Sequence, residues 1–247
     1  MIILQQIKIR LSHASVRRII FFKMVNVIII LFLIAAVLSS CSQDSIKIIE
    51  KGESSLRLGD YTMAIKFFQE VLNNDPENFR ARLGMGKALI QKASAQNGDS
   101  LIWSNALIHI EAARTLNPQS DIEPILSETW MVHARKKLEI HDTIGALNAL
   151  SRTIDYNPRS IEALNLAGII YYRIGDPGKA SILFERALAI DSLKSFTHFN
   201  IGMLCWSQSD FACAHKAWFK ALTLAPEDKD IIYWYSVAEK KFQEAAK

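Results

Sequence analysis

The sequence predicts an all-α fold: a right-handed α-solenoid of about five helix pairs followed by a C-terminal capping helix. The first observation is that five helix-like runs end in similar short markers: Asn74-Asp75-Pro76, Asn117-Pro118, Asn157-Pro158, Ile190-Asp191-Ser192 and Ala225-Pro226. The second is that the last three markers are spaced 34 residues apart. The third is that small, bulky and turn-forming residues recur at matching offsets. A fixed period of this length indicates stacked two-helix units.

Residues 161–194 show the recurring pattern most completely, with Leu164, Ala167, Gly168, Tyr171, Gly175-Asp176, Ala180, Phe184, Ala187 and Ile190-Asp191. Residues 195–228 repeat it with Ile201, Gly202, Asp210, Ala214, Trp218, Ala221 and Pro226, and residues 45–78 with Gly52, Gly59-Asp60-Tyr61, Ala64, Phe68 and Pro76. Glycine or alanine where two helices cross lets their backbones approach closely, and a bulky residue then fills the space beside the next unit. A Gly-Asp pair makes the turn, and proline ends the helix.

These motifs resemble the tetratricopeptide repeat family, and the resemblance covers residues 45 to about 247. It implies repeated antiparallel helix pairs and a concave groove that receives proteins or peptides. It also implies a non-enzymatic role, with no catalytic residues, cofactor or metal.

Two middle units depart from the regular length. Residues 79–120 span 42 positions, with the surplus near the polar segment 94–100, and residues 121–160 span 40. In the second of these, Glu128 stands where glycine is usual, and Pro124 indicates the start of the first helix. We expect five repeats, two of them with lengthened hairpins. Residues 229–247 are then a capping helix with a more polar, solvent-facing side, formed by Glu239, Lys240, Lys241, Gln243, Glu244 and Lys247.

Residues 1–40 have the composition of an export signal, because they carry five cations, no Asp or Glu, and a short apolar run over 24–38. Leu38-Ser39-Ser40-Cys41 resembles the lipobox of bacterial lipoproteins, which implies acylation of Cys41. Residues 41–44 would then tether the solenoid of 45–247. An uncleaved apolar helix beside an ordinary cysteine is the alternative.

The net charge of +4 comes from this first segment, since five of the 29 Lys and Arg residues lie there. Without that segment the chain is close to neutral, which gives no support for nucleic-acid binding.

A partner-binding groove is predicted along the first helices of the later repeats. The repeat register places six residues on its wall: Asn165, Tyr172, Phe196, Phe199, Met203 and Tyr233. Apolar side chains at such spacing can receive a partner's helix or extended segment. The alternative is that Phe196 and Phe199 pack between repeats. The Lys and Asn pairs that clamp chaperone carboxyl termini in this family are missing, so that specialised site is not expected.

The remaining reactive residues give no sign of catalysis or metal binding. The six histidines form no ligand pair of the His-x-x-x-His kind. Cys205 and Cys213 could approach each other across a hairpin, although buried free thiols are commoner at such positions.

The resemblance therefore implies a lipid-anchored scaffold or adaptor in the bacterial cell envelope, most simply on the outer membrane and facing the periplasm. It would contact the membrane through its N-terminal lipid and proteins through its groove. A pilotin-like factor for one outer-membrane, pilus or secretin client, or a regulatory subunit of a cell-wall enzyme, are the alternatives.

Overall fold

The computed structural model describes residues 43–245, which form helices and turns without a strand. The signal segment and Cys41 lie outside the described residues. The chain divides into two compact units at Pro76. In the first unit, α1 spans residues 43–57 and α2 spans Tyr61–Asn74. Helix α1 thus includes residues 43 and 44, which the sequence assigned to the tether.

In the second unit, each helix packs against the next along the chain. These helices are α3 (Phe79–Ala95), α4 (Ser100–Leu116), α5 (Glu123–Glu139), α6 (Thr143–Tyr156), α7 (Ile161–Arg173), α8 (Pro177–Ile190), α9 (Ser195–Ser207), α10 (Phe211–Leu224) and α11 (Lys229–Ala245). The predicted α-solenoid fold class is confirmed for the described residues, with one helix pair in the first unit and four pairs and a final helix in the second.

The close helix crossings depend on glycine facing a buried ring. A β-carbon on Gly202 would lie 2.3 Å from Nε1 of Trp218, and one on Gly168 would lie 2.5 Å from the Phe184 ring. Both rings are fully buried and cannot move aside. These pairs therefore require a residue without a side chain on the first helix.

The crossing residue of α5 is not the one that the sequence indicated. Glu128 is exposed, whereas Ala134 is fully buried in one cluster with Leu150. Ala134 precedes Leu150 by the same interval that separates Gly168 from Phe184. The true register of this unit is therefore six residues later than predicted.

The two middle hairpins are longer than the regular ones, but their surplus residues lie mainly in the helices and not in the polar turn that the sequence indicated. The turn between α5 and α6 covers residues 140–142, as short as the turn over 174–176, and the surplus residues add a turn to the start of α5. In the preceding unit, α3 and α4 are each 17 residues long and are joined by residues 96–99. Extra hydrogen-bonded helical turns satisfy their own backbone groups, which a long loop would leave to water.

Each second helix of a pair begins at an aspartate. The side chains accept a backbone N–H of their own first turn at 2.8–3.1 Å, and the five residues are Asp60, Asp99, Asp142, Asp176 and Asp210. Such caps satisfy donors that a helix start leaves free.

Each turn before a second helix contains a residue with a left-handed backbone, directly before the capping aspartate in four turns and two residues before Asp99 in the fifth. Gly59 and Gly175 fill this position in two turns, with φ of 79° and 83°. Asn97, His141 and Ser209 fill it in the other three, with φ of 49–62°. These three residues hold a conformation that favours glycine.

Indole rings and a disulfide hold α9, α10 and α11 together. The rings of Trp206, Trp218 and Trp234 lie 5.4–6.2 Å apart between centroids. Cys205 and Cys213 form a disulfide between α9 and α10, which corrects the expectation of free thiols.

Helix α11 exposes the polar residues Lys240, Lys241, Gln243 and Glu244, while its Phe242 ring, which is 41% exposed, stacks on His215. Within residues 43–245, no helix has both the length and the apolar character needed to cross a bilayer.

Candidate protein-binding groove

A cavity of about 900 Å³ opens between the first helices of three successive pairs, α5, α7 and α9. Its apolar wall consists of side chains that are only partly covered by the rest of the second unit: Leu138, Ile161, Leu166, Ile169 and Phe196. Phe196 is the most open of them, with 55% of its surface exposed. The volume and the apolar wall suit a segment of a partner chain.

Charged side chains stand around this apolar wall. Arg135, Glu139 and Glu162 come from α5 and α7, while Arg159 and Lys194 come from the turns before α7 and α9. Arg135 forms an ion pair with Glu162, and both side chains are more than half exposed. Exposed pairs of this kind contribute little to stability.

The amide of Asn165 is engaged within the protein. Its Nδ2 donates to the carbonyl oxygen of Ile161 and to Oγ1 of Thr197, both at 2.9 Å, and its Oδ1 accepts from Nδ2 of Asn200 at 3.1 Å. Only 2% of Asn165 is exposed. Both donors are used, so this residue joins α7 to α9 at the base of the groove and has no N–H left for a ligand.

Phe199 and Met203 are partly buried and do not line the large cavity as described. Both lie against the buried cluster around Trp218, whose Nε1 donates to the Phe199 carbonyl oxygen at 3.1 Å. Phe199 also borders a smaller cavity of about 220 Å³ together with Phe196 and Ile231.

Tyr172 and Tyr233 are not among the described residues that line the large cavity. Tyr172 packs against the cluster around Phe184. Tyr233 on α11 is 61% exposed, and its ring meets the Trp234 ring edge-on. Of the six predicted groove residues, the structure therefore brings Asn165 and Phe196 together at the large cavity.

The register error in α5 explains the missed groove residues of that helix. When Ala134 is taken as the crossing residue, Arg135, Leu138 and Glu139 fall on the groove face, as the structure has them. Arg159 and Lys194 were missed because they lie in turns outside the helical pattern.

A separate polar cluster joins α4, α5 and α6. The Glu111 carboxylate accepts from Nε1 of Trp130 at 3.0 Å and from the hydroxyl of Tyr156 at 2.6 Å. Partial burial and this bond to the carboxylate raise the pKa of Tyr156 to about 12. Nearby, burial and the Lys137 charge lower the pKa of His133, which favours the neutral imidazole.

No group of three or more His, Cys, Asp or Glu side chains in the described part of the chain is arranged to hold a metal.

The arrangement defines a helical-repeat protein with a groove along its first helices. Family models of the tetratricopeptide repeat match residues 133–194 and 49–78. The predicted tetratricopeptide repeats are therefore confirmed. Such repeats typically serve protein–protein interaction, and the matched models describe no enzyme.

A curated relative is the BBSome complex member bbs-4 of Caenorhabditis elegans, 30% identical over 161 residues. The match covers 65% of this chain but spans only about a third of the relative's length (34%).

Solved structures share the fold at low sequence identity. A MamA protein is 21% identical with a TM-score of 0.51, covering 74% of this chain and 92% of that one. YrrB, described as a TPR protein with an unusual peptide-binding site, is 16% identical with a TM-score of 0.52, covering 76% and 90%. A tetratricopeptide repeat protein from Parabacteroides merdae is 16% identical with a TM-score of 0.51, covering 83% and 75%.

Proposed function

We propose that this chain is a non-enzymatic scaffold of the bacterial cell envelope, anchored by lipid on Cys41, whose groove holds a segment of a partner protein. The observation that carries the binding role is the open, apolar cavity between α5, α7 and α9. The peptide-binding site attributed to YrrB, which has a similar fold, supports the same use of the repeats.

The envelope location is supported by two independent features. Residues 1–41 have the order of a lipoprotein signal: cations, a short apolar run, two serines and a cysteine. The disulfide between Cys205 and Cys213 fits an exported protein, because such bonds persist in oxidising compartments and are rare in the cytosol.

The groove is tested by crosslinking and affinity purification of the lipidated chain from its own cells. Phe196→Asp puts a charge on the apolar wall while leaving the buried core intact, and we expect partner recovery to fall at least about tenfold. Phe219→Asp is the matched control, since Phe219 is an equally open ring (51% exposed) on α10. Equal partner recovery with both variants would remove the groove from the proposal.

The anchor is tested by cell fractionation of Cys41→Ser. The variant is exported behind a cleavable signal peptide that adds no lipid, because its own apolar run over 24–38 would otherwise remain and hold it in the membrane. Without acyl chains the protein should then move from the membrane fraction to the soluble fraction. Mass spectrometry of the native protein should show acyl groups on Cys41. Retention of Cys41→Ser in the membrane would contradict a lipid anchor.

A further inference from the structure

Building on the proposed function, we infer that the partner segment carries an aspartate or glutamate side chain next to a large apolar side chain, and that Arg159 recognises the carboxylate. Two observations lead to this chemistry: the charged side chains around the groove, and the Asn165 amide, whose donors are already used within the protein.

The carboxylates around the cavity already have cationic partners. Glu162 pairs with Arg135, and Glu139 accepts from Nζ of Lys136 at 3.0 Å. The cavity therefore presents little uncompensated negative charge to a ligand.

Two of the three cations that line the cavity are also paired, Arg135 with Glu162 and Lys194 with Asp191. Nζ of Lys194 lies 3.3 Å from Asp191. Arg159 is exposed, lines the cavity and has no ion-pair partner among residues 43–245. Its planar guanidinium can bind a carboxylate through two parallel hydrogen bonds, which gives both direction and strength.

The start of α9 adds to the positive potential at the same cavity. Its N-cap residue is Lys194, whose side chain makes no capping hydrogen bond, unlike the aspartates before the second helices. The partial positive charge at a helix start acts within the first turn, and the first turn of α9 contains Phe196, which lines the cavity. An acidic group placed beside Phe196 would therefore share the cavity with Arg159 and with this helix end.

A carboxylate on a side chain fits better than the free carboxyl terminus of a peptide. Holding a terminus in a groove requires donors that converge from the helix faces, and the Asn165 amide has already used both N–H groups. The cation left unpaired within residues 43–245, Arg159, lies in a turn beside the apolar wall. A side chain can reach it from a peptide segment that continues along the groove beyond Arg159.

The apolar wall of the groove supplies the other part of the recognition. Leu138, Leu166 and Ile169 are only partly buried and leave apolar surface that a ligand side chain can cover. Burial of such surface drives association, while the charge selects the neighbouring residue.

The test selects random short peptides displayed on phage against the full-length chain in detergent. Synthetic peptide pairs that differ only by Glu against Gln are then measured by fluorescence anisotropy at low salt. We expect the selected peptides to combine a large apolar residue with Asp or Glu. The Glu-to-Gln exchange should weaken binding about fivefold, the range of exposed ion pairs with good geometry.

Arg159→Glu should abolish or invert the preference for the acidic peptide, whereas Lys220→Glu, a charge reversal at an exposed position on α10, should leave it unchanged. Added salt should reduce the preference with the native chain.

The outcomes separate this inference from the proposed function. Peptides that need Phe196 but show no acidic preference overturn the inference and leave the groove in place. Binding lost on amidation of the peptide's carboxyl terminus, but not on Glu-to-Gln exchange, shows that the carboxylate comes from the terminus and overturns the side-chain assignment. If no selected peptide depends on Phe196, the groove itself is excluded.

Discussion

The helices α4–α6 and α9–α11 of the second unit are held together in different ways. In α9–α11, a glycine crossing brings Trp218 against α9, and neighbouring indoles and a disulfide complete the contact. In α4–α6, one carboxylate, Glu111, accepts hydrogen bonds from α5 and from α6. In α9–α11 the contact thus relies mainly on close backbone approach around rings, with the His215–Glu239 pair as a polar link to α11. In α4–α6 a single carboxylate joins all three helices.

The Glu111 cluster also has a cationic member. Nε of Arg114 lies 3.1 Å from Glu123 of α5, and its guanidinium lies 5.3 Å from the centre of the Tyr156 ring. The polar link between these helices is therefore a network rather than one bond, and its members should not contribute additively.

The largest effect is expected for Gly202→Ala, which tests the regular region. The new methyl group would overlap the fully buried Trp218 ring, so the free energy of unfolding should fall by about 2–3 kcal/mol. Urea unfolding followed by circular dichroism measures this change. Gly178→Ala is the control, because its β-carbon would meet nothing closer than 3.8 Å. Equal stability of the two variants would show that the crossing tolerates a side chain.

A smaller loss is expected for Glu111→Ala, which tests the polar region. The Trp130 N–H and the Tyr156 hydroxyl lose their acceptor, so the free energy of unfolding should fall by about 1–2 kcal/mol. Glu111→Gln should have a stability between those of the native chain and Glu111→Ala. In the same variant the pKa of Tyr156 should fall from about 12 toward its ordinary value of 10, as measured by ultraviolet titration.

The raised pKa of Tyr156 also sets the direction of a pH effect. The folded state holds the phenol proton more tightly than the unfolded state, so this stabilising contribution is complete below pH 10. It is lost as pH rises from 10 to about 12. Glu111→Ala should show less of this alkaline loss than the native chain; an identical profile would argue against the hydrogen bond.

The smallest effects are expected at the hairpin turns, which both regions share. Ser209→Gly and His141→Gly relieve a left-handed backbone and should raise the free energy of unfolding by up to about 1 kcal/mol. Gly175→Ala should lower it by a similar amount. Thermal unfolding compares the three variants, and a stabilising Gly175→Ala would contradict this explanation of the turns.

Sequence reasoning placed Asn165 and Phe196 at the groove, but it missed the α5 wall and the charged edge. Phe196 follows from the 34-residue register, because each first helix turns the same face inward. Arg135 and Leu138 were hidden by the shifted register of α5, since Ala134 is a weaker marker than glycine. Arg159 lies in a turn, where no periodicity assigns a direction to a side chain.

The sequence by itself determined the helix pairs, the glycine crossings at Gly168 and Gly202 and the Gly-Asp turns, because these depend on contacts within one repeat. Tertiary structure decided which side chains of neighbouring repeats share a cavity and that Asn165 is used internally. It also decided that the surplus residues extend helices and that Cys205 meets Cys213. These outcomes depend on distances between helices, which a period along the chain does not contain.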